Sequence, residues 1–135
     1  MKTDIKQKLA RYWFTILQDI IYFEVENLEK EFAKKRGGSM KKFISKKWKR
    51  GNKNDEGGGE FRILQNGLLF EKAGINFSEV YGEFGKYFRN HIPGAKKNPK
   101  FWASGISVVL HMKNPKIPAM HFNTRFICTQ KNWFG

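Results

Sequence analysis

Five side chains able to do chemistry fall between Phe101 and Arg125, in FWASGISVVLHMKNPKIPAMHFNTR: Ser107, His111, His121, Asn123 and Arg125. Histidine titrates near neutrality and can pass protons. The arginine fork stays charged and grips a carboxylate through two parallel hydrogen bonds. Serine and asparagine add neutral donors and acceptors. Together these types suit the holding of an acidic ligand with a proton exchanged beside it. Two other chemistries fit less well. His111 and His121 lack a third metal-type ligand at a local spacing, and His91 stands apart. Ser107 has no Gly-x-Ser-x-Gly elbow, and the stretch contains no carboxylate to complete a hydrolase triad. A structural role weighs more heavily for His111 than for His121, and a structural ion pair is the plain alternative for Arg125.

These residues need strands to bring them together. Period-2 alternation puts Gly105, Ser107, Val109 and His111 on one face of a first strand, with Ser104, Ile106, Val108 and Leu110 on the other. In a second strand His121, Asn123 and Arg125 share a face, opposite Met120, Phe122, Thr124 and Phe126. A turn at Asn114, Pro115 and Lys116 predicts Ser107 across from Asn123 and His111 near Ala119, which gives one shared polar surface.

Upstream, apolar residues from Asp4 to about Lys35 recur at helical spacing (Ile5, Leu9, Tyr12, Trp13, Ile16, Leu17, Ile20, Phe23, Leu28, Phe32), which predicts one long helix or two with a break. Gly37 and Gly38 end it. Phe43–Trp48 reads as a short strand and Lys49–Glu60 as a polar loop, with Gly57, Gly58 and Gly59 turning it. Those glycines lack the Gly-Lys-Ser/Thr or GxGxxG context of a nucleotide loop. Phe61–Gln65 and Leu68–Ala73 flank Asn66-Gly67, a two-residue hairpin signal. A loop is expected from Gly74 through Ser78, then a helix or strand over Val80–Arg89 and a loop around Pro93, Gly94 and Pro99. Glu71 and Lys72 should face opposite ways, one of them buried or functional. One helix followed by hairpin-connected strands predicts an α+β fold with an antiparallel sheet.

The 135 residues suit a single domain, helix over 1–36 and sheet over 43–135. Hydrophobic residues make up 40% and include thirteen Phe, so the chain is not a disordered segment. Cys128 is the one cysteine, which excludes an internal disulfide and fits a reducing, cytoplasmic setting. Neither a signal peptide nor a membrane span is expected. The net charge is +14, and Lys34–Lys53 carries ten Lys or Arg with no acid. Such a balance attracts anions without naming one. Basic and aromatic residues interleaved over Lys41–Arg50 keep a single-stranded nucleic-acid module as an alternative, although a solvated lysine face is the plainer reading.

The ordered blocks Trp48, Gly57-Gly58-Gly59, NGLLFEKAGINFSEVYGE (Asn66–Glu83), FWASGISVVLHMKNPKIPAMHFNTRF (Phe101–Phe126) and Trp133-Phe134-Gly135 resemble the oxygen-dependent coproporphyrinogen-III oxidases of haem biosynthesis. The resemblance covers Phe43 to Gly135. It implies oxidative decarboxylation of two propionates of coproporphyrinogen III by O₂ to give protoporphyrinogen IX, with neither metal nor organic cofactor. The implied fold is a large antiparallel sheet flanked by helices, active as a homodimer, with the tetracarboxylate macrocycle lying over the sheet. By the same resemblance His121 orients or exchanges protons, Arg125 holds a propionate, and Ser107 and Asn123 hydrogen-bond the substrate. Met112 departs from the family's usual proline, and the loop over Lys49–Glu56 looks longer than its counterpart. The family pattern continues past Trp-Phe-Gly to an Asp-Leu-Thr-Pro segment whose aspartate acts at the pyrrole nitrogen. The expectation is therefore a chain corresponding to about the N-terminal half, with one wall of the site, an open sheet edge, and neither good stability nor turnover unless complemented.

Overall fold

The computed structural model describes residues 3–52 and 54–135; Lys2 and Lys53, both counted in the charge above, lie outside them. Helix α1 runs unbroken over Thr3–Arg36, followed by strands β1 (Ile44–Lys49), β2 (Gly57–Gln65) and β3 (Phe70–Glu83), a short helix α2 (Lys86–Arg89), and strands β4 (Lys100–Met112), β5 (Met120–Cys128) and β6 (Trp133–Phe134). The strands form one antiparallel sheet in the order β1-β2-β3-β4-β5-β6. Each strand pairs with its sequence neighbour, so the chain pays little loop-closure entropy to build the sheet. The α+β architecture with an antiparallel sheet and a long N-terminal helix is thus present. None of the described helices is long and apolar enough to cross a membrane.

Helix α1 lies across one face of the sheet. Phe14 and Val25 pack there against Leu64, Phe70, Ala73, Ile75, Ile106, Val108 and Leu110, and removal of these apolar surfaces from water is the main stabilising term. The buried helix residues Phe14, Gln18, Val25, Glu29 and Ala33 repeat at intervals of four and seven, and two of them are polar. Gln18 donates through Nε2 to the carbonyls of Glu60 (2.9 Å) and Ile75 (3.1 Å). The Glu29 carboxylate, 1% exposed, accepts from the backbone N–H groups of Leu68, Leu69 and Phe70. Polar pegs thus set the position of the helix along the sheet, because a slip would strand buried donors.

Four expectations need correction. Gly57, Gly58 and Gly59 are strand residues, paired to Lys49 and Trp48 on one side and to Val80, Glu79 and Ser78 on the other. A Cβ on these three would collide with the carbonyl oxygens of Glu79, Trp48 and Phe77 respectively, so glycine here permits close strand approach. No loop interrupts Gly74–Ser78, since β3 runs straight through and Gly74 pairs with both Ile63 and Val109. The Asn66-Gly67 connection is longer than two residues: Gln65 pairs with Lys72, and Asn66 (φ 53°) takes the left-handed conformation without Gly67. The carboxylate of Glu29 gathers the intervening amides and sets that loop. Finally, Glu71 and Lys72 are both exposed, beside a register shift between Phe70 and Lys72.

Candidate functional site on the open sheet face

The face of the sheet turned away from α1 carries the predicted residues. Alternation places Ser104, Ile106, Val108 and Leu110 under the helix, all buried, and leaves Gly105, Ser107, Val109 and His111 on the opposite side. The register pairs Ser107 with Asn123, Gly105 with Arg125 and Val109 with His121. With Leu110 opposite Met120, His111 falls beside Ala119 as the symmetric turn requires. Ile117 N–H closes that turn on the Asn114 carbonyl at 3.1 Å.

Following the ladders across the sheet extends this surface beyond the hairpin. Asn76 of β3 pairs with Ser107, so Asn76, Ser107 and Asn123 form one row of hydrogen-bonding groups across three strands. The adjacent row is Trp48, Gly59, Ser78, Gly105 and Arg125, and the row on the other side holds Gly74, Val109 and His121. On β3 and β4 these rows are therefore floored mostly by small residues, Gly74, Ser78, Gly105 and Ser107, while Phe61 and Ile63 continue two of them on β2. A Cβ at Gly74 would meet nothing within 4 Å, so the space above that point is open.

His121, Asn123 and Arg125 are exposed and Ser107 is half-buried. Arg125 takes part in none of the ion pairs found among the described residues, so its charge is available to an outside anion. His111 is also exposed, and its Nε2 lies 2.9 Å from Nε2 of His121 with the rings stacked at a centroid distance of 5.1 Å. At that separation one nitrogen must carry the hydrogen and the other accept it. His111 thus contacts His121 directly, as the i, i+10 spacing across a symmetric turn allows. No cluster of three or more His, Cys, Asp or Glu occurs among the described residues.

Two features had no signal in the local sequence. The Trp48 indole donates through Nε1 to Asn76 Oδ1 at 3.1 Å, reaching from β1 over β2 to β3. It can do so because Gly59 lies beneath it: a Cβ there would stand 2.9 Å from Trp48 Cζ2. On the helix side, a cleft of about 920 Å³ lies between α1 and β1–β3. Its charges are largely satisfied internally, Arg62 on Asp19 at 2.7 Å and Arg11 on Glu79 at 3.0 Å, so it is a charged seam and not a second polar site.

A helix-backed antiparallel sheet defines an α+β protein, and its uncovered face carries the candidate residues on strands, not on loops. The family model for coproporphyrinogen III oxidase matches residues 10–135, and the chain belongs to that family. Similar curated proteins are the oxygen-dependent coproporphyrinogen-III oxidases of Rickettsia bellii strain RML369-C (52% identical over 129 residues), Rickettsia felis (48% over 135) and Rickettsia africae (46% over 129). They match 96%, 100% and 96% of this chain. The chain spans 45–47% of the length of these relatives.

Proposed function

We infer that this chain supplies the substrate-holding sheet face of an oxygen-dependent coproporphyrinogen-III oxidase. The observation that carries this is the single row and rim formed by Ser107, Asn123, Arg125 and His121 on an open, glycine-floored sheet. A flat macrocycle with acidic side chains fits such a floor: Arg125 takes a propionate carboxylate in a bidentate grip, Asn123 and Ser107 hydrogen-bond the ligand, and His121 exchanges a proton near the reacting side chain. Each propionate, with O₂ and one proton, gives a vinyl group, CO₂ and hydrogen peroxide. The C–COO⁻ bond breaks, the adjacent carbon loses hydrogen, and O₂ takes up two electrons. His111, in contact with His121, couples the tautomer of one ring to that of the other. The reading includes no metal or organic cofactor, a cytoplasmic homodimer, and no nucleic-acid partner; support for these comes from the family resemblance and the lone buried thiol.

Titration of the purified chain with coproporphyrin III, the air-stable oxidised form of the macrocycle, tests this. The expected result is saturable binding, weakened at least tenfold in Arg125→Ala for loss of a charge-assisted pair. Equal affinity in the native chain and Arg125→Ala would remove this face from substrate binding.

A further inference from the structure

The geometry points to Trp48 as the aromatic wall of the macrocycle site, held in place by Asn76 as a positioning residue; this rests on the proposed function. The indole is half-buried on β1 and leans inward over Gly59, with Nε1–H on Asn76 Oδ1 at 3.1 Å. Asn76 is one strand from Ser107 and two from Asn123 in the same row, so it sits about 5 and about 10 Å from them at the ordinary strand spacing. An aromatic edge therefore closes the row that ends at Arg125, at its β1 end and beside the polar row. Between Trp48 and Arg125 the floor is Gly59, Ser78 and Gly105, and these project too little to block a flat ring. The hydrogen bond removes the indole's rotational freedom before a ligand arrives, which lowers the ordering cost of binding. Among the described residues, the Trp48 indole is the one side-chain hydrogen-bond partner found for Asn76. A π-face or edge at this point favours a flat conjugated or pyrrolic ring over an aliphatic acid of the same charge.

That selectivity supplies the test. Binding of coproporphyrin III and of the acyclic butane-1,2,3,4-tetracarboxylate is measured for the native chain, Trp48→Leu, Trp48→Phe, Asn76→Ala and Arg125→Ala, with thermal unfolding as a check on folding. Trp48→Leu is expected to weaken the porphyrin about tenfold, the scale of one ring-stacking contact, and to leave the acyclic acid within twofold. Trp48→Phe should recover most of the loss, and Asn76→Ala should fall between. Arg125→Ala should weaken both ligands. If Trp48→Leu and Asn76→Ala bind the porphyrin like the native chain while Arg125→Ala does not, the assignment of Trp48 fails and the proposed function stands. If Arg125→Ala is also without effect, or the native chain does not bind, the proposed function fails and takes this inference with it. Should Trp48→Leu not fold, Trp48→Phe and Asn76→Ala decide: equal loss of both ligands in them would overturn the wall role in favour of a structural one.

Discussion

Glu29 ties the helix to the sheet. Its carboxylate is buried and is the shared acceptor for three consecutive amides of the β2–β3 connection. Glu29→Ala leaves those donors without partners, at a cost of about 1–3 kcal/mol for each one left unsatisfied. Allowing for rearrangement and water entry, we expect about 3 kcal/mol of destabilisation in urea unfolding; a loss below about 0.5 kcal/mol would show that the loop is held by other contacts. Glu60 gives a pH signature. A hydrogen bond from Ser45, and then Arg62, hold its carboxyl below the usual carboxylate range, against the opposing effect of burial. A carboxylate with a lowered folded pKa stabilises fully above its unfolded value of about 4.3, and that contribution is lost as pH falls through the lowered folded value. Ser45→Ala should therefore flatten the acid limb of the stability–pH curve and leave its neutral and alkaline limbs parallel to those of the native protein. An unchanged acid limb would show that Arg62 alone sets the shift.

Among elements, β2, β3 and β4 bear on where the proposed ligand lies. Their glycines divide into two kinds. A Cβ at Gly105 would collide with the Thr124 carbonyl, and one at Gly59 with the Phe77 carbonyl, whereas Gly74 faces open space at a φ that any residue adopts. Gly105→Ala should consequently lower the unfolding midpoint, because backbone of the neighbouring strand must move. Gly74→Val should keep or raise it, since a β-branched residue suits a strand, and should abolish coproporphyrin III binding by raising a bump in the floor. Tight binding by a folded Gly74→Val variant would place the ring elsewhere on the sheet.

Across the whole molecule, positive charge and the open face act over different ranges. Much of the +14 sits on exposed lysines and arginines, among them Lys46, Lys47 and Lys49 on the β1 edge. These raise the local concentration of any polyanion, an effect that salt screens within about 10 Å at 0.1 M ionic strength. The short-range grip of Arg125 in a hydrogen-bonded pair is screened less. Affinity for coproporphyrin III should thus fall with added salt by a similar factor in the native chain and in Arg125→Ala, leaving their ratio nearly constant. Convergence of the two affinities at high salt would make Arg125 one more member of the general charge.

How far the sequence reaches depends on how local the deciding interaction is. The helical stretch was legible, with one helix or two left open and one found, as were the two faces of β4 and β5 and their register. A period of two and a symmetric turn around Asn114–Lys116 leave little choice when one face must be buried, so Ser107 meets Asn123 as expected. The continuity of β3, the strand role of Gly57–Gly59 and the longer Asn66-Gly67 connection were not legible. Glycine has the same local signature in a turn and at a close approach of strands, and only the neighbouring backbones distinguish the two. The Trp48 to Asn76 bond and the Glu29 contacts with Leu68–Phe70 join residues 28 to 41 positions apart. Alternation and short-turn symmetry, both local, therefore determined which residues share the open face. The tertiary structure alone decided which glycines floor it, which aromatic borders it and what pins the helix behind it, because each depends on partners that only the assembled sheet brings together.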